Sequence, residues 1–408
     1  MRTLAVLSLV AFALSACSTQ LRNDVQGAVQ VSSAGELPDP MPVETSAYDP
    51  EADSLRFTGE VYLRNIRQLT DGGNNAEAYW SFGGEQLIFQ SDWDAINDQG
   101  CDQQFVMNAD GSALSTGEQY RLVSTGQGRT TCGYFLADGR VIYSSTHEGS
   151  RACPTTAASL TGRYVWDIFP TYDIYVANPD GTGTELLIGG EGYDAEPTVS
   201  PDGRFIIFTS TRSGDLELYR YEVATREILQ LTDELGYDGG AFFSPDSEMI
   251  VWRASRPTGD AAESYRRLLA DDQVQPGALD IYVANADGTD KRRVTQLPGA
   301  NWAPFFHPSG DKILFSSNHH TLDSGGREFD MFLVDLADGI ADDPSKVTRI
   351  TNSSTFDAFR VFSPDGTKLV FASNRRSDRA PSRQMNVFVA DWVEEPEAVD
   401  LAFETIQP

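Results

Sequence analysis

The stretch Ala195-Glu196-Pro197-Thr198-Val199-Ser200-Pro201-Asp202-Gly203-Arg204-Phe205-Ile206-Ile207-Phe208-Thr209-Ser210 sets two strand-like runs on either side of a Ser-Pro-Asp-Gly turn. The second run ends in a polar tail, Ser210-Thr211-Arg212. The same turn position recurs at Ser81, Leu136, Ser200, Ser244, His307 and Ser363. A supersecondary unit repeated at such intervals is the signature of a propeller. The shortest interval, from Ser200 to Ser244, shows the minimal unit. Its strands are Ala195–Ser200, Arg204–Ser210, Leu216–Tyr221 and Ile228–Thr232. Four short antiparallel strands joined by tight Gly/Asp turns make one blade.

The pattern predicts an all-β, six-bladed β-propeller with four-stranded antiparallel blades. Its first blade opens at Ala76–Trp80 and its sixth at Ala358–Ser363. The sixth has three strands, ending in Asn386–Asp391, and then only an acidic tail. The run from about 60 to 68, which ends in the same Leu-Thr pair as Leu231-Thr232, is the expected donor of the missing outer strand. Closing the ring this way leaves only short, protected edges.

The Pro-Asp-Gly turns, the Ser-x-Arg endings and the Asn-x-Asp-Gly turns together resemble the bacterial TolB-type propeller repeat, from about residue 57 to 393. The resemblance implies the architecture. It does not imply one activity, because such propellers occur in binding modules, peptidase accessory domains and a few lyases. TolB itself carries a small N-terminal domain before its propeller. Here a different segment occupies that place.

That segment begins with Arg2 and an apolar run from Leu4 to Leu14, too short to span a bilayer permanently. Leu14-Ser15-Ala16-Cys17 resembles the bacterial lipobox, which makes residues 1–16 a lipoprotein signal peptide and Cys17 the lipidated residue. The lipid would anchor the chain without spanning the membrane. Ser18 after the Cys favours the outer membrane, facing the periplasm. Residues 17–56 contain Pro38, Pro40, Pro42 and Pro50 among acidic residues and few large apolar ones, the composition of a tether. The propeller is expected over 57–393 and an acidic tail over 394–408. The formal net charge of −29 argues against nucleic acid as a partner. A continuous repeat of this size reads as one monomeric domain.

Strand order fixes the faces. The Pro-Asp-Gly turns lie on one face, and the loops between second and third strands lie on the other. Every large insertion falls in these second-to-third-strand loops: 92–103, 147–172, 253–279, 318–329 and 376–384. Repeats whose insertions gather on one face carry their binding surface there. Glu77, Asp194, Asp238, Asn301 and Asp357 sit at equivalent points just before the inner strands and are expected to ring the channel mouth. His147, Arg212, Arg256, His319 and Arg375 follow the second strands on the same face. One reading is a cation- or amine-binding mouth, its carboxylates suited to calcium. The other is a set of acid–base braces repeated because the blade is repeated. Cys101, Cys132 and Cys153 share this face; one disulfide among them, involving Cys153, leaves one thiol over. A zinc site from the three thiolates and His147 is the alternative. Trp166 and Tyr164, in the longest loop, are the candidate binding aromatics.

The functional expectation is a lipid-anchored envelope module that recognises a protein, peptide or glycan through its loop face, with no cofactor required. The alternatives are a hydrolase or metal-dependent lyase with its site at the channel mouth, or a propeller accessory to a separate peptidase.

Overall fold

The computed structural model describes residues 53–157, 164–353, 355–376 and 384–396. The expected signal, lipobox and most of the tether therefore lie outside the described residues, as does most of the tail.

Six four-stranded antiparallel sheets form the ring. The first blade comprises β2 (Asn75–Trp80), β3 (Gln86–Ser91), β4 (Gln103–Asn108) and β5 (Arg121–Leu122). The second comprises β6 (Thr130–Phe135), β7 (Val141–Ser145), β9 (Asp173–Ala177) and β10 (Glu185–Ile188), with the short β8 (Trp166–Asp167) in its insertion. The third is β11 (Asp194–Val199), β12 (Phe205–Ser210), β13 (Glu217–Glu222) and β14 (Ile228–Gln230). The fourth is β15 (Asp238–Phe243), β16 (Met249–Ala254), β18 (Asp280–Asn285) and β19 (Arg292–Arg293). Its insertion holds helix α1 (Asp260–Ala270) and β17 (Gln273–Val274). The fifth is β20 (Asn301–Phe306), β21 (Lys312–Ser317), β22 (Asp330–Asp335) and β23 (Thr348–Arg349). The sixth is β24 (Asp357–Phe362), β25 (Lys368–Ser373), β26 (Asn386–Trp392) and, as expected, the N-terminal β1 (Leu63–Gln68). In β1, Leu63 pairs with Trp392 and Gln68 with Phe388.

The turn motif has a local cause. The Ser200 hydroxyl donates to Asp202 (2.5 Å) and accepts the Phe205 N–H (2.9 Å), while Asp202 accepts the Arg204 N–H (3.0 Å). Gly203 supplies the left-handed residue at φ 72° that this tight reversal requires. The Ser–Asp pair recurs at Ser244–Asp246 and Ser363–Asp365. Second strands such as β12 are buried on both faces, because blades pack face to face. Outer strands such as β14 are exposed.

Every inner strand shifts register after its second residue. The third residue takes positive φ in all six: Glu77 (52°), Cys132 (44°), Glu196 (58°), Gly240 (57°), Ala303 (46°) and Phe359 (54°). A bulge re-aims a side chain. These six residues border one small cavity on the axis, about 20 Å³ in volume, so they form a ring inside the channel. The fifth residues fill the axis next to it. Tyr79 of the first blade meets Phe242 of the fourth, directly opposite, with ring centroids 5.7 Å apart, and Phe242 meets Phe305 at 5.0 Å.

The fourth residues are Ala78, Gly133, Pro197, Ala241, Pro304 and, in the sixth blade only, Arg360. Arg360 is 1% exposed and has no carboxylate partner among the described residues. It donates to Ser316 Oγ (2.8 Å) and, at 3.4 Å, to the Trp302 carbonyl, while its Nε finds no acceptor. Burial drives its pKa well below the ordinary guanidinium value. A buried charge without a counter-charge costs stability, and an apolar side chain of similar length removes that cost. Arg360→Met is therefore expected to stabilise the fold, by up to the roughly 1–3 kcal/mol that a buried unsatisfied polar group costs. Thermal and urea melts read this; a variant less stable than wild type would contradict it.

Candidate functional site

The site is built on the six-residue ring, where the repeat stops repeating. Gly240 has no side chain, and Arg253 from the neighbouring strand β16 takes the space. A Cβ on Gly240 would lie 1.9 Å from Arg253 Nη1. Arg253 Nη2 is ion-paired with Glu196 and donates to the Tyr237 hydroxyl at 2.7 Å. That hydroxyl donates in turn to Glu196 at 3.1 Å. Glu196 also accepts from the Thr209 hydroxyl (2.8 Å) and the Gly240 N–H (3.0 Å). Burial disfavours the Arg253 charge, but Glu196, Tyr237 and Glu77 together hold the guanidinium protonated.

Glu77 is the ring carboxylate with no cation of its own. It accepts a hydrogen bond from Tyr79 and forms no ion pair among the described residues. Burial pushes its carboxyl up to about 7, against the Tyr79 hydrogen bond and the Arg253 charge. Burial likewise raises the thiol of Cys132, the next ring member, with Glu77 and Glu196 adding to the shift. The sign for stability follows. A carboxyl whose folded pKa exceeds its unfolded value contributes stability that is complete below about pH 4.5 and lost as pH rises through 7. Glu77→Gln removes that loss. Its urea midpoint relative to wild type is expected to rise between pH 5 and 7.5 and level off above. A constant difference across this range would contradict the assignment.

Above the ring the two longest insertions meet. β8 from the second blade pairs antiparallel with β17 from the fourth, Trp166 opposite Val274, and the Ile168 N–H donates to the Asp272 carbonyl at 2.7 Å. They form a canopy. Beneath it lies a pocket of about 460 Å³ that reaches Glu77, Cys132, Glu196 and Arg253 at its floor. Trp166, Tyr237, Trp302, Phe356 and Phe359 line its aromatic side. Trp166 and Trp302 have centroids 6.0 Å apart, and the Arg253 guanidinium lies 5.3 Å from the Trp166 ring. Tyr164, 71% exposed, stands at the pocket's edge. The turn face carries a concavity of similar size, about 510 Å³, lined by Pro201, Pro245, Pro308 and Pro364 over Phe82, Tyr134 and Phe305. Volume does not separate the faces. Convergent charge and aromatic groups do.

The acids and bases expected at the mouth are positioned differently. Asp194, Asp238, Asn301 and Asp357 open their inner strands and are at most 1% exposed. Arg212 pairs with Asp194 (2.7 Å), Arg256 with Asp238 (2.8 Å) and Arg375 with Asp357 (3.0 Å). Asn301 accepts from Ser317 (2.7 Å) and donates to the Leu297 and Leu279 carbonyls. The residues after the second strands also lie against a ring of their own blade: Arg212 on Phe208, Arg256 on Tyr282, Arg375 on Phe371, His147 on Tyr175 and His319 on Phe332. These contacts brace the blades. Glu77 is not their equivalent, as the sequence reading had it. Asn75, opposite Ser91 as Asp194 is opposite Ser210, holds that place, and Glu77 stands two residues further on with Glu196.

Cys101 and Cys153 form a disulfide, and Cys132 is the buried free thiol. The bridge consumes two of the three sulfurs, so the zinc set of three thiolates with His147 does not assemble. Among the described residues no three His, Cys, Asp or Glu side chains gather as a metal-ligand set, and three of the mouth acids, Asp194, Asp238 and Asp357, are paired with arginines. Glu196 and Arg253 escaped the sequence reading. The available clue was Asn75-Ala76-Glu77 beside Asp194-Ala195-Glu196, two tripeptides that align without a gap.

Comparison with known proteins bears on the repeat. No family model matches the chain. A Tol-Pal system protein TolB from Anaeromyxobacter dehalogenans (strain 2CP-C) is 28% identical over 169 residues, 41% of this chain and 33% of the relative. TolB from Francisella tularensis subsp. holarctica (strain OSU18) is 25% identical over 232 residues, 50% of this chain and 51% of the relative. The repeat is TolB-like. The chain spans about a third to a half of the length of these TolB relatives. Among solved structures, TolB from Acinetobacter baumannii superposes with a TM-score of 0.47 at 18% identity, covering 80% of this chain and 65% of that one. An oligogalacturonate lyase in complex with manganese gives 0.46 at 11% identity, covering 81% and 93%.

Proposed function

We propose that this chain is a recognition module of the bacterial envelope that receives a segment of a protein, peptide or glycan in the pocket beneath the canopy. The observation that carries the reading is the break in repetition. The braces recur from blade to blade, whereas Glu77, the Arg253–Glu196 pair and the β8–β17 canopy each occur once and converge on one concavity. The Tol-Pal relatives and the Cys101–Cys153 bridge support an oxidising, periplasmic setting. Cys17 would supply the lipid anchor at the outer membrane; mass analysis of the mature N-terminus, with Cys17→Ser as the released control, tests that part.

Met385 also lines the pocket, so the recognition test is in-envelope crosslinking of wild type against the pair Tyr164→Ala and Met385→Trp, which changes the pocket's lining and leaves every arginine–aspartate brace in place. Loss of a captured partner in the folded variant supports the pocket. Equal capture by both places the binding surface elsewhere. An enzymatic reading draws on one observation, the raised pKa of Glu77 in a pocket, which suits a general acid or base. In that case turnover of an envelope peptide or glycan would vanish in Glu77→Gln.

A further inference from the structure

The charges in the pocket do not balance locally. Arg253 is committed to Glu196, and Arg129 to Asp102 at 2.5 Å. Asp167 accepts the Ala157 N–H at 3.0 Å. Glu77 remains, a carboxyl that faces the cavity with the Tyr79 hydroxyl as its hydrogen-bond donor and no ion pair among the described residues. The charge of Arg253 favours its ionised form but is already paired with Glu196, and Arg360, which borders the same cavity, donates to Ser316 and the Trp302 carbonyl instead. The pocket's other unmet groups are donors. The indole N–H of Trp302 and the Nε of Arg253 are buried without an acceptor among the described residues. Trp302 is 8% exposed and lines the pocket.

An occupant that answers both needs brings a cation to Glu77 and carbonyl oxygens to the two orphaned donors. A bare metal ion brings no acceptor, and a neutral glycan brings no charge. A polypeptide with a basic side chain brings both. The walls agree, since ammonium and guanidinium groups are attracted to the faces of Trp, Tyr and Phe, and Trp166, Trp302, Tyr237 and Phe359 supply those faces. The formal charge of −29 adds a field that draws a basic partner to the molecule.

We propose that the pocket receives a lysine or arginine side chain of a partner polypeptide, with the cationic head against Glu77 and the aromatic walls around its stem. This rests on the recognition reading above and names the chemistry of its ligand.

The experiment titrates the full chain with acetyl-Gly-Lys-Gly-amide and its neutral counterpart acetyl-Gly-norleucine-Gly-amide, following the fluorescence of the pocket tryptophans and ligand-observed NMR. The lysine peptide is expected to bind about tenfold or more tightly than the norleucine peptide, and Glu77→Gln to abolish that preference. Glu77→Gln keeps the acceptor for Tyr79, and circular dichroism verifies its fold. Equal binding of the two peptides, or a preference that survives in Glu77→Gln, overturns the proposal. Tighter binding of acetyl-Gly-Glu-Gly-amide overturns it too and makes Arg129 and Arg253 the hosts. A chain that captures its envelope partner yet binds none of these peptides refutes the cationic ligand while the recognition reading stands. A chain that captures nothing and binds no peptide removes both.

Discussion

Arg375→Met is expected to destabilise the propeller by about 3–5 kcal/mol, because it leaves two buried carboxylates facing each other with no cation between them. Arg375 is 1% exposed and Glu60 0%. The guanidinium donates to both oxygens of Glu60 (3.0 and 3.1 Å) and to Asp357 (3.0 Å). Glu60 also accepts the N–H groups of Phe57 (2.9 Å) and, from the end of the fifth blade, Asn352 (3.0 Å). Burial raises the Glu60 carboxyl, Arg375 opposes that rise, and Asp357 reinforces it. Removing Arg375 takes away the charge that opposes this rise, so the Glu60 carboxyl climbs further. A group whose folded pKa is raised loses its stability contribution as pH climbs, so the variant's deficit should shrink on going from pH 7 to pH 5. The triple change Arg375→Met, Glu60→Gln and Asp357→Asn should recover much of the loss, since it removes the charges together. Urea unfolding of the three chains, wild type included, at both pH values checks this. An unchanged midpoint for Arg375→Met would mean that the N-terminal strand is held by its β1–β26 ladder alone.

Breaking the Cys101–Cys153 bridge by a double serine substitution should cost about 2–4 kcal/mol. The bridge closes a separation of 52 residues, for which the chain-entropy account sets an upper figure of about 4 kcal/mol. The effect should be local first. Cys153 lies in the insertion that carries Trp166, and the bridge ties that insertion to the first blade while β8 ties it to β17. Losing one of two tethers should loosen the canopy and the aromatic wall before the blades unfold. Hydrogen exchange is expected to rise at Trp166–Ile168 and Gln273–Val274 and to stay unchanged in the inner strands. Uniform protection in the double variant would show that the β8–β17 pairing holds the canopy unaided.

Much of the architecture was legible because its causes are local. A Ser-Pro-Asp-Gly turn hydrogen-bonds within itself, so Ser200–Phe205 announces a reversal wherever it stands. Six such reversals between apolar runs leave no economical arrangement but a ring. The closing strand was legible for a related reason: the last blade lacked an outer strand, and the first run ended as the others do. The faces followed from strand order alone, which put the insertions on the side where the pocket lies.

The site was less legible because its causes are not local. The bulge moves each third residue into the channel, a two-residue matter of register that alternation does not disclose. Thus Glu77 was aligned with Asp194, and Glu196 was passed over. Charged residues looked alike in the sequence, yet Asp194, Asp238 and Asp357 turned inward as braces while Glu77 faced the cavity. The decisive difference was the position of a guanidinium in three dimensions. Arg253 pairs with Glu196 of the preceding blade because Gly240 leaves room, and among the described residues no cation pairs with Glu77 in this way. The pairing of β8 with β17, about a hundred residues apart along the chain, likewise arose only from folding. Sequence alone determined the blade, the count, the closure and the face that carries the insertions, since each depends on short-range turns and patterns. Tertiary structure decided which acids are neutralised and what roofs the pocket, because charge compensation and loop docking depend on distances that only the closed ring creates.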